Sequence, residues 1–364
     1  MKTNRLMAAA AFGSLVALSG TLMAQRGMGG GMGGGMGGGM GGGMGSGMGG
    51  MGGMGAGMSS VQVPADNPIT PEKVALGKQL YFDGRLSKDG TVSCNSCHNL
   101  AAAGADNKPV STGVGGAQGT RNSPTVWNSA FHSAQFWDGR APSLEEQAKG
   151  PLVNPVEMAM PSFDAVVARV KAVPGYVAQF DKVFGKNSVT IDNIAKAIAT
   201  YERTLISTGS KFDNFRFLDK SALTQAEFDG FRTFRQSGCV QCHMGPDFAG
   251  PPPLARGAGF YQKFPRFPDN ALITQYKLLD DGGRFNATKQ EADRHVYRVP
   301  TLRNVAETAP YFHNGRVPTL AEAVRVCAKG GSNVDLSQSQ VQSIVAFLGT
   351  LTGQFPEQKP PKQP

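Results

Sequence analysis

The chain carries two copies of one pentapeptide pattern, "CNSCH" (Cys94, Cys97, His98) and "CVQCH" (Cys239, Cys242, His243), and this feature constrains it most. Two thiols about a helical turn apart can add to the two vinyl groups of one haem, and the His that follows reaches the iron from the same side. A zinc site would want four convergent Cys or His ligands, and a redox dithiol has no use for a His directly after its second Cys. Two covalently attached c-type haems are therefore expected. Each would form much of its own domain's core, so the fold expected is mainly α, two c-type cytochrome domains with long Gly/Pro-rich loops and little sheet.

The surrounding pattern is helical. In "TPEKVALGKQLYFDG", Thr70 is the expected N-cap and Pro71 the first helical residue, with Val74, Leu76 and Leu80 on the apolar side. Phe228, Phe231 and Phe234 repeat at helical spacing before the second socket. "VDLSQSQVQSIVAFLGTLTG" closes the fold as an amphipathic helix, with Asp335 expected as cap and Gln338 three residues on.

Of the 364 residues, not all are expected to fold. Residues 1–24 have Lys2 and Arg5 ahead of an apolar run and small residues near Ala24, the layout of an export signal. Its apolar core is too short for a good membrane span. Cleavage would remove those two cations and no acid, so the net charge of +9 becomes +7. The positive charge is diffuse, which suits an acidic protein partner and not nucleic acid. Residues 25–60 are a Gly/Met-rich stretch whose composition predicts a flexible tether, although thioethers also suit Cu(I). A first haem domain over 61–222, a second over 223–353 and a disordered tail over 354–364 complete the expected organisation. Export and haem attachment together imply a periplasmic protein.

The longer stretches "AQFWDGRAPSLEEQAKGPLVNPVEM", "VPTLRNVAETAPYFHNGRVPTLAEAV" and "SIVAFLGTLTG" resemble signatures of the bacterial di-haem cytochrome c peroxidase family, which includes the methylamine-utilisation branch. The resemblance spans about residues 65–352. It implies a peroxidatic N-terminal haem and an electron-transfer C-terminal haem. It also implies that Glu157 is the distal carboxylate, Gln147 its polar neighbour and Trp137 the conduit between haems. Asn122 with the backbone carbonyls of Thr308 and Pro310 matches a Ca²⁺ site, for which oxygen donors are suited. His313 matches a histidine beside the second haem and not on its iron. The reaction implied is reduction of hydrogen peroxide with electrons from a small cytochrome c or cupredoxin. Two other readings stay open: a peroxide-driven enzyme that oxidises residues of an unidentified partner protein, and a non-catalytic electron-transfer or redox-sensing cytochrome. A homodimer is left open as well. His132 and His295 match nothing in the family and read as surface or loop residues.

Two departures from the family pattern stand out. Where many members carry a histidine that caps the peroxidatic iron, this chain reads "STGVGGAQGTRNSPT", with Val114 in that place. The first iron is therefore expected to be free of a His cap at rest. Where members carry the methionine ligand of the second haem, this chain reads "AEAVRVCAKGG", so Cys327 is the expected second axial ligand opposite His243. A thioether favours ferrous iron and a high potential, whereas an anionic thiolate favours ferric iron and lowers it. A buried small hydrophobe is the alternative reading of Cys327.

Overall fold

The computed structural model describes residues 61–251 and 255–364, and the expected signal segment and tether lie outside them. Twelve α-helices and one short sheet make up the regular structure of this part: α1 (Pro71–Phe82), α2 (Cys94–Cys97), α3 (Leu144–Val153), α4 (Phe163–Lys171), α5 (Pro174–Phe184), α6 (Ile191–Glu202), α7 (Lys211–Phe217), α8 (Gln225–Gln236), α9 (Ala271–Gln275), α10 (Phe285–Thr288), α11 (Leu320–Ser332) and α12 (Gln338–Gly349). Strands β1 (Tyr261–Lys263) and β2 (Val296–Arg298) pair antiparallel. The mainly helical expectation holds. Among the described residues no helix is long and apolar enough to cross a membrane.

Helix α1 starts where its sequence says. The Thr70 hydroxyl accepts from the Lys73 amide, Pro71 sits in the first turn, and Leu76 and Leu80 are fully buried. Burying each such leucine contributes roughly 1.5–3 kcal/mol. These residues join Trp127, Tyr176, Phe180, Ile194 and Ile198 in the first core. Phe212, Phe234, Phe248, Ile344 and Phe347 anchor the second, with Phe228 and Phe231 packed against it.

Each core is built on one close helix crossing, and a glycine permits each. A Cβ on Gly77 of α1 would lie 1.9 Å from the Ala197 carbonyl oxygen of α6, and one on Gly230 of α8 would lie 1.9 Å from the Ser343 oxygen of α12. The obstacle in both cases is backbone, so relief requires the helices to part. Gly77→Ala is expected to destabilise the holoprotein by about 1–3 kcal/mol in urea unfolding. Gly349→Ala, with nothing near its added Cβ, should leave the midpoint nearly unchanged. Equal effects of the two substitutions would refute the crossing argument.

Three expectations need correction. The cap of α12 is Ser337, paired with Gln340 in a capping box; Asp335 instead meets Lys329 at 2.6 Å. The hydroxyl wins because it lies three residues before an amide it can reach. The second core begins ahead of residue 223, since Phe212 and Phe215 of α7 pack within it. Residues 354–364 do not form a disordered tail. Phe355 packs edge-on against Trp127 at 5.3 Å, Tyr201 Oη donates to Gln358, and Tyr176 Oη donates to Gln363. A charged, Pro-rich composition conceals this because its few anchoring contacts are all long-range.

Candidate active site

Both sockets present a histidine prepared to bind metal. Helix α2 holds Cys94 and Cys97, and the amide of His98 donates to the Cys94 carbonyl at 3.0 Å. Gly238, left-handed at φ 82°, opens the turn that holds Cys239 and Cys242, and the His243 amide donates to Cys239 O at 3.0 Å. His98 Nδ1 lies 2.9 Å from Pro124 O, and His243 Nδ1 lies 3.0 Å from Phe248 O. A carbonyl can only accept, so each Nδ1 carries the proton and each Nε2 is left as the lone-pair nitrogen. Burial lowers the pKa of both rings and keeps them in the neutral, ligating form. No disulfide closes either C-x-x-C, which leaves all four socket sulfurs available for attachment. These are the features a covalently attached haem needs from its protein.

Glu157 lies by the first socket. Its loop leaves α3 at Asn154, which accepts the Glu157 amide at 3.0 Å. Burial raises its pKa, with the Arg140 charge and an Asn154 hydrogen bond acting the other way, and its own charge is felt at Cys94 and Cys97. The segment that departs from the family is docked on the same loop. Val114 N donates to Glu157 O at 2.8 Å, and a Cβ on Gly113 would lie 2.5 Å from that oxygen. Val114 packs against the first core. Gln147 is half-buried on α3, and no hydrogen bond joins it to Glu157.

Trp137 and His313 come together. Their rings meet edge-to-face at 6.4 Å, Trp137 Nε1 donates to Asn122 O at 2.9 Å, and the Asn122 amide donates to His313 O at 2.7 Å. Tyr297 stacks on His313 at 4.5 Å, and burial pushes the His313 pKa down to about 4. Arg121 ties the loops to each other through Asp138 and Asp281, both at 2.6 Å. The Ca²⁺ expectation concerns Asn122, Thr308 and Pro310. Asn122 Nδ2 donates to Lys108 O at 2.9 Å, Thr308 Oγ1 to Val305 O at 3.3 Å, and the Ala309–Pro310 peptide is cis.

Cys327 lies on α11 near the second socket. Burial raises its thiol pKa to about 12, reinforced by Cys239 and Cys242. An undeprotonated thiol is the form expected without a cation beside it.

Two features escape a sequence reading centred on single motifs. "PTVWNSAFHSAQFWDGRAPS" and "PTLRNVAETAPYFHNGRVPT" are the same structure twice. Asn128 and Asn304 are both left-handed and both donate to Ser207 Oγ, Phe136 matches Phe312, Gly139 matches Gly315, and Trp137 matches His313. Aligning the chain with itself would have found this. Glu202 carried no motif at all. It is buried, its Oε2 has no hydrogen-bond partner, and burial raises its pKa to about 8 against the opposing charge of Arg203. A carboxyl raised in the folded state contributes stability that is present at acid pH and lost as pH rises from about 4 to about 8. Glu202→Gln removes that loss, so the variant should be the more stable at pH 9 by at most about 5 kcal/mol and near parity at pH 4. Urea midpoints that shift alike at both pH values would contradict this assignment.

Two haem sockets, each beside its own helical core, define a di-haem c-type cytochrome. The profile of the di-haem cytochrome c peroxidase family matches residues 71–221, and a RoxA-like, cytochrome c-like profile matches 296–326. The chain is 46% identical over 303 residues to the cytochrome c551 peroxidase of Nitrosomonas europaea, covering 83% of this chain and 86% of that one. It is 36% identical to the methylamine utilization protein MauG of Methylorubrum extorquens, over 80% of this chain and 81% of that one. A solved MauG-like protein associated with microbial copper homeostasis superposes with a TM-score of 0.71 at 28% identity, covering 82% and 94%. The chain belongs to the di-haem cytochrome c peroxidase family and is a peroxidase of that class.

Proposed function

We propose that this protein reduces hydrogen peroxide to water, with two electrons and two protons consumed per peroxide, in the periplasm. The observation that carries the reading is Glu157, a half-buried carboxyl by the first socket with its pKa raised. When bound at Cys94, Cys97 and His98, the haem supplies the iron at which peroxide is cleaved. Glu157 takes the proton from the near oxygen and returns it to the departing one, for which a pKa drawn toward neutrality is an advantage. Val114 puts an apolar side chain where other members carry a capping histidine, so no side chain must be expelled before peroxide enters. Gln147 lines the approach as a neutral hydrogen-bonding group. Charge passes between the domains through the Trp137–His313 ring contact, and Arg121 keeps those loops in register. The second haem would be held by Cys239, Cys242 and His243, with the Cys327 thiol on α11 as a further candidate ligand for its iron. Asn122 and the carbonyls of Thr308 and Pro310 would hold a Ca²⁺ ion, and Asn122 also hydrogen-bonds both Trp137 and His313.

A small redox protein with an acidic face is the electron donor, in keeping with the positive charge of the chain. Steady-state turnover of peroxide with reduced cytochrome c and with reduced cupredoxin tests this reading. Turnover with either, weakening as ionic strength rises, is expected. Peroxide consumption that neither donor sustains would instead favour oxidation of a protein substrate.

A further inference from the structure

A cavity of about 170 Å³ opens between the 130–144 segment and a wall that includes Asp247, Pro251 and Phe260, and three arginines line it: Arg203, Arg256 and Arg298. Two of them are paired. Arg203 and Arg256 share Glu145, at 2.7 and 3.2 Å. A fourth arginine nearby, Arg303, is bound to Asp213 at 2.8 Å and lies 3.6 Å from Asp247.

Arg298 differs from all of these. It is 6% exposed, and among the described residues its guanidinium donates only to neutral carbonyls, Nε to Phe136 O at 3.3 Å and Nη1 to Val299 O at 3.2 Å. Among the described residues no carboxylate makes an ion pair with it. Burial of this kind lowers its pKa to about 10. A guanidinium removed from water without a counter-ion costs several kcal/mol, and proteins do not commonly bear that cost without a partner. A second group on the same wall also lacks a partner: His132 Nε2 is buried without a hydrogen bond, although a lone histidine in this loop reads from sequence as exposed. Its neighbour Arg298 and its burial both hold the ring neutral, burial being the larger effect.

We propose that this cavity is a carboxylate-binding site, in which the Arg298 fork holds the carboxylate and His132 Nε2 supplies a further hydrogen bond. The planar guanidinium matches a carboxylate in geometry as well as charge. The backbone amide of Arg298 donates to Trp137 O at 2.8 Å, so a carboxylate here is also fixed relative to the ring contact between the domains. Two sources share this chemistry: a side-chain carboxylate of a haem the chain itself carries, or a free small carboxylate. The first source rests on the di-haem reading, and haem content measured on the same samples separates failure of that reading from failure of this one.

The test is a crystal structure of the wild-type holoprotein grown without carboxylate buffer, and again after soaking with acetate. A haem carboxylate within hydrogen-bond distance of Arg298 in the first crystal supports the proposal with the haem as source. Acetate at Arg298 in the second crystal alone supports it with a free ligand, provided acetate also raises the melting temperature of the wild type and not of Arg298→Gln. Water alone at Arg298 in both crystals overturns it. In solution, Arg298→Gln should either lower the reduction potential of one haem or abolish the acetate response, and Arg298→Lys should retain the wild-type behaviour. Unchanged potentials and an unchanged acetate response in Arg298→Gln at full haem content overturn the proposal equally. If Arg298→Gln does not load two haems, the wild-type crystals decide.

Discussion

In Glu157→Gln, the rate of reaction with peroxide is expected to fall by about 10²–10⁴-fold, which is the usual contribution of a positioned acid–base group. That corresponds to roughly 3–5 kcal/mol of transition-state stabilisation. The substitution keeps the shape of the side chain and the Glu157 backbone bonds to Asn154 and Val114, so the loop that presents it should persist. What it removes is a group able to take a proton from one peroxide oxygen and give it to the other. The pH profile provides a second readout. Because burial raises the Glu157 pKa and the ionised form is the base, the wild-type rate should fall as pH drops through a value above the ordinary carboxylate range. In Glu157→Gln that limb should disappear. Rapid mixing with peroxide over pH 4–8 measures both. A rate and pH profile equal to wild type would remove Glu157 from the mechanism and favour a non-catalytic electron carrier.

Cys327→Met should restore the ligand type that other members use and raise the potential of the second haem. Axial ligands span about 0.8 V among haem proteins, and exchange of thiolate for thioether is expected to move it by on the order of 0.1 V or more. The surroundings explain why the exchange matters. Burial raises the Cys327 thiol to about 12, so only the charge of a bound ferric iron would make it a thiolate, and that thiolate would in turn stabilise the ferric state. A low-potential second haem is poorly matched to a high-potential cytochrome donor and better suited to holding oxidising equivalents. Low-temperature EPR of the two ferric proteins, beside potentiometric titration, reads ligation and potential together. Identical spectra and potentials would show that Cys327 is a packed thiol off the iron.

Much of this fold was legible because it is written in local terms. Thr70 and Pro71 start α1 in one turn's span, and Phe228, Phe231 and Phe234 mark one helix face. The same locality misled at Asp335, where Ser337 had the better reach to an amide. The tail failed for the opposite reason, since Phe355 against Trp127 is a contact between distant parts of the chain.

The amino-acid sequence by itself determined the two haem sockets, the helical class, the family and the identity of the group at Glu157, Val114 and Cys327. The sockets rest on residue type at fixed short spacing, whereas the family and the readings at Glu157, Val114 and Cys327 rest on the resemblance of longer stretches. Only the tertiary structure decided that Trp137 meets His313, that Arg298 and His132 line one cavity with no ion pair to Arg298 among the described residues, and that Glu202 is buried with a raised pKa. Those are matters of desolvation and of which distant groups share a space, and no local pattern encodes them.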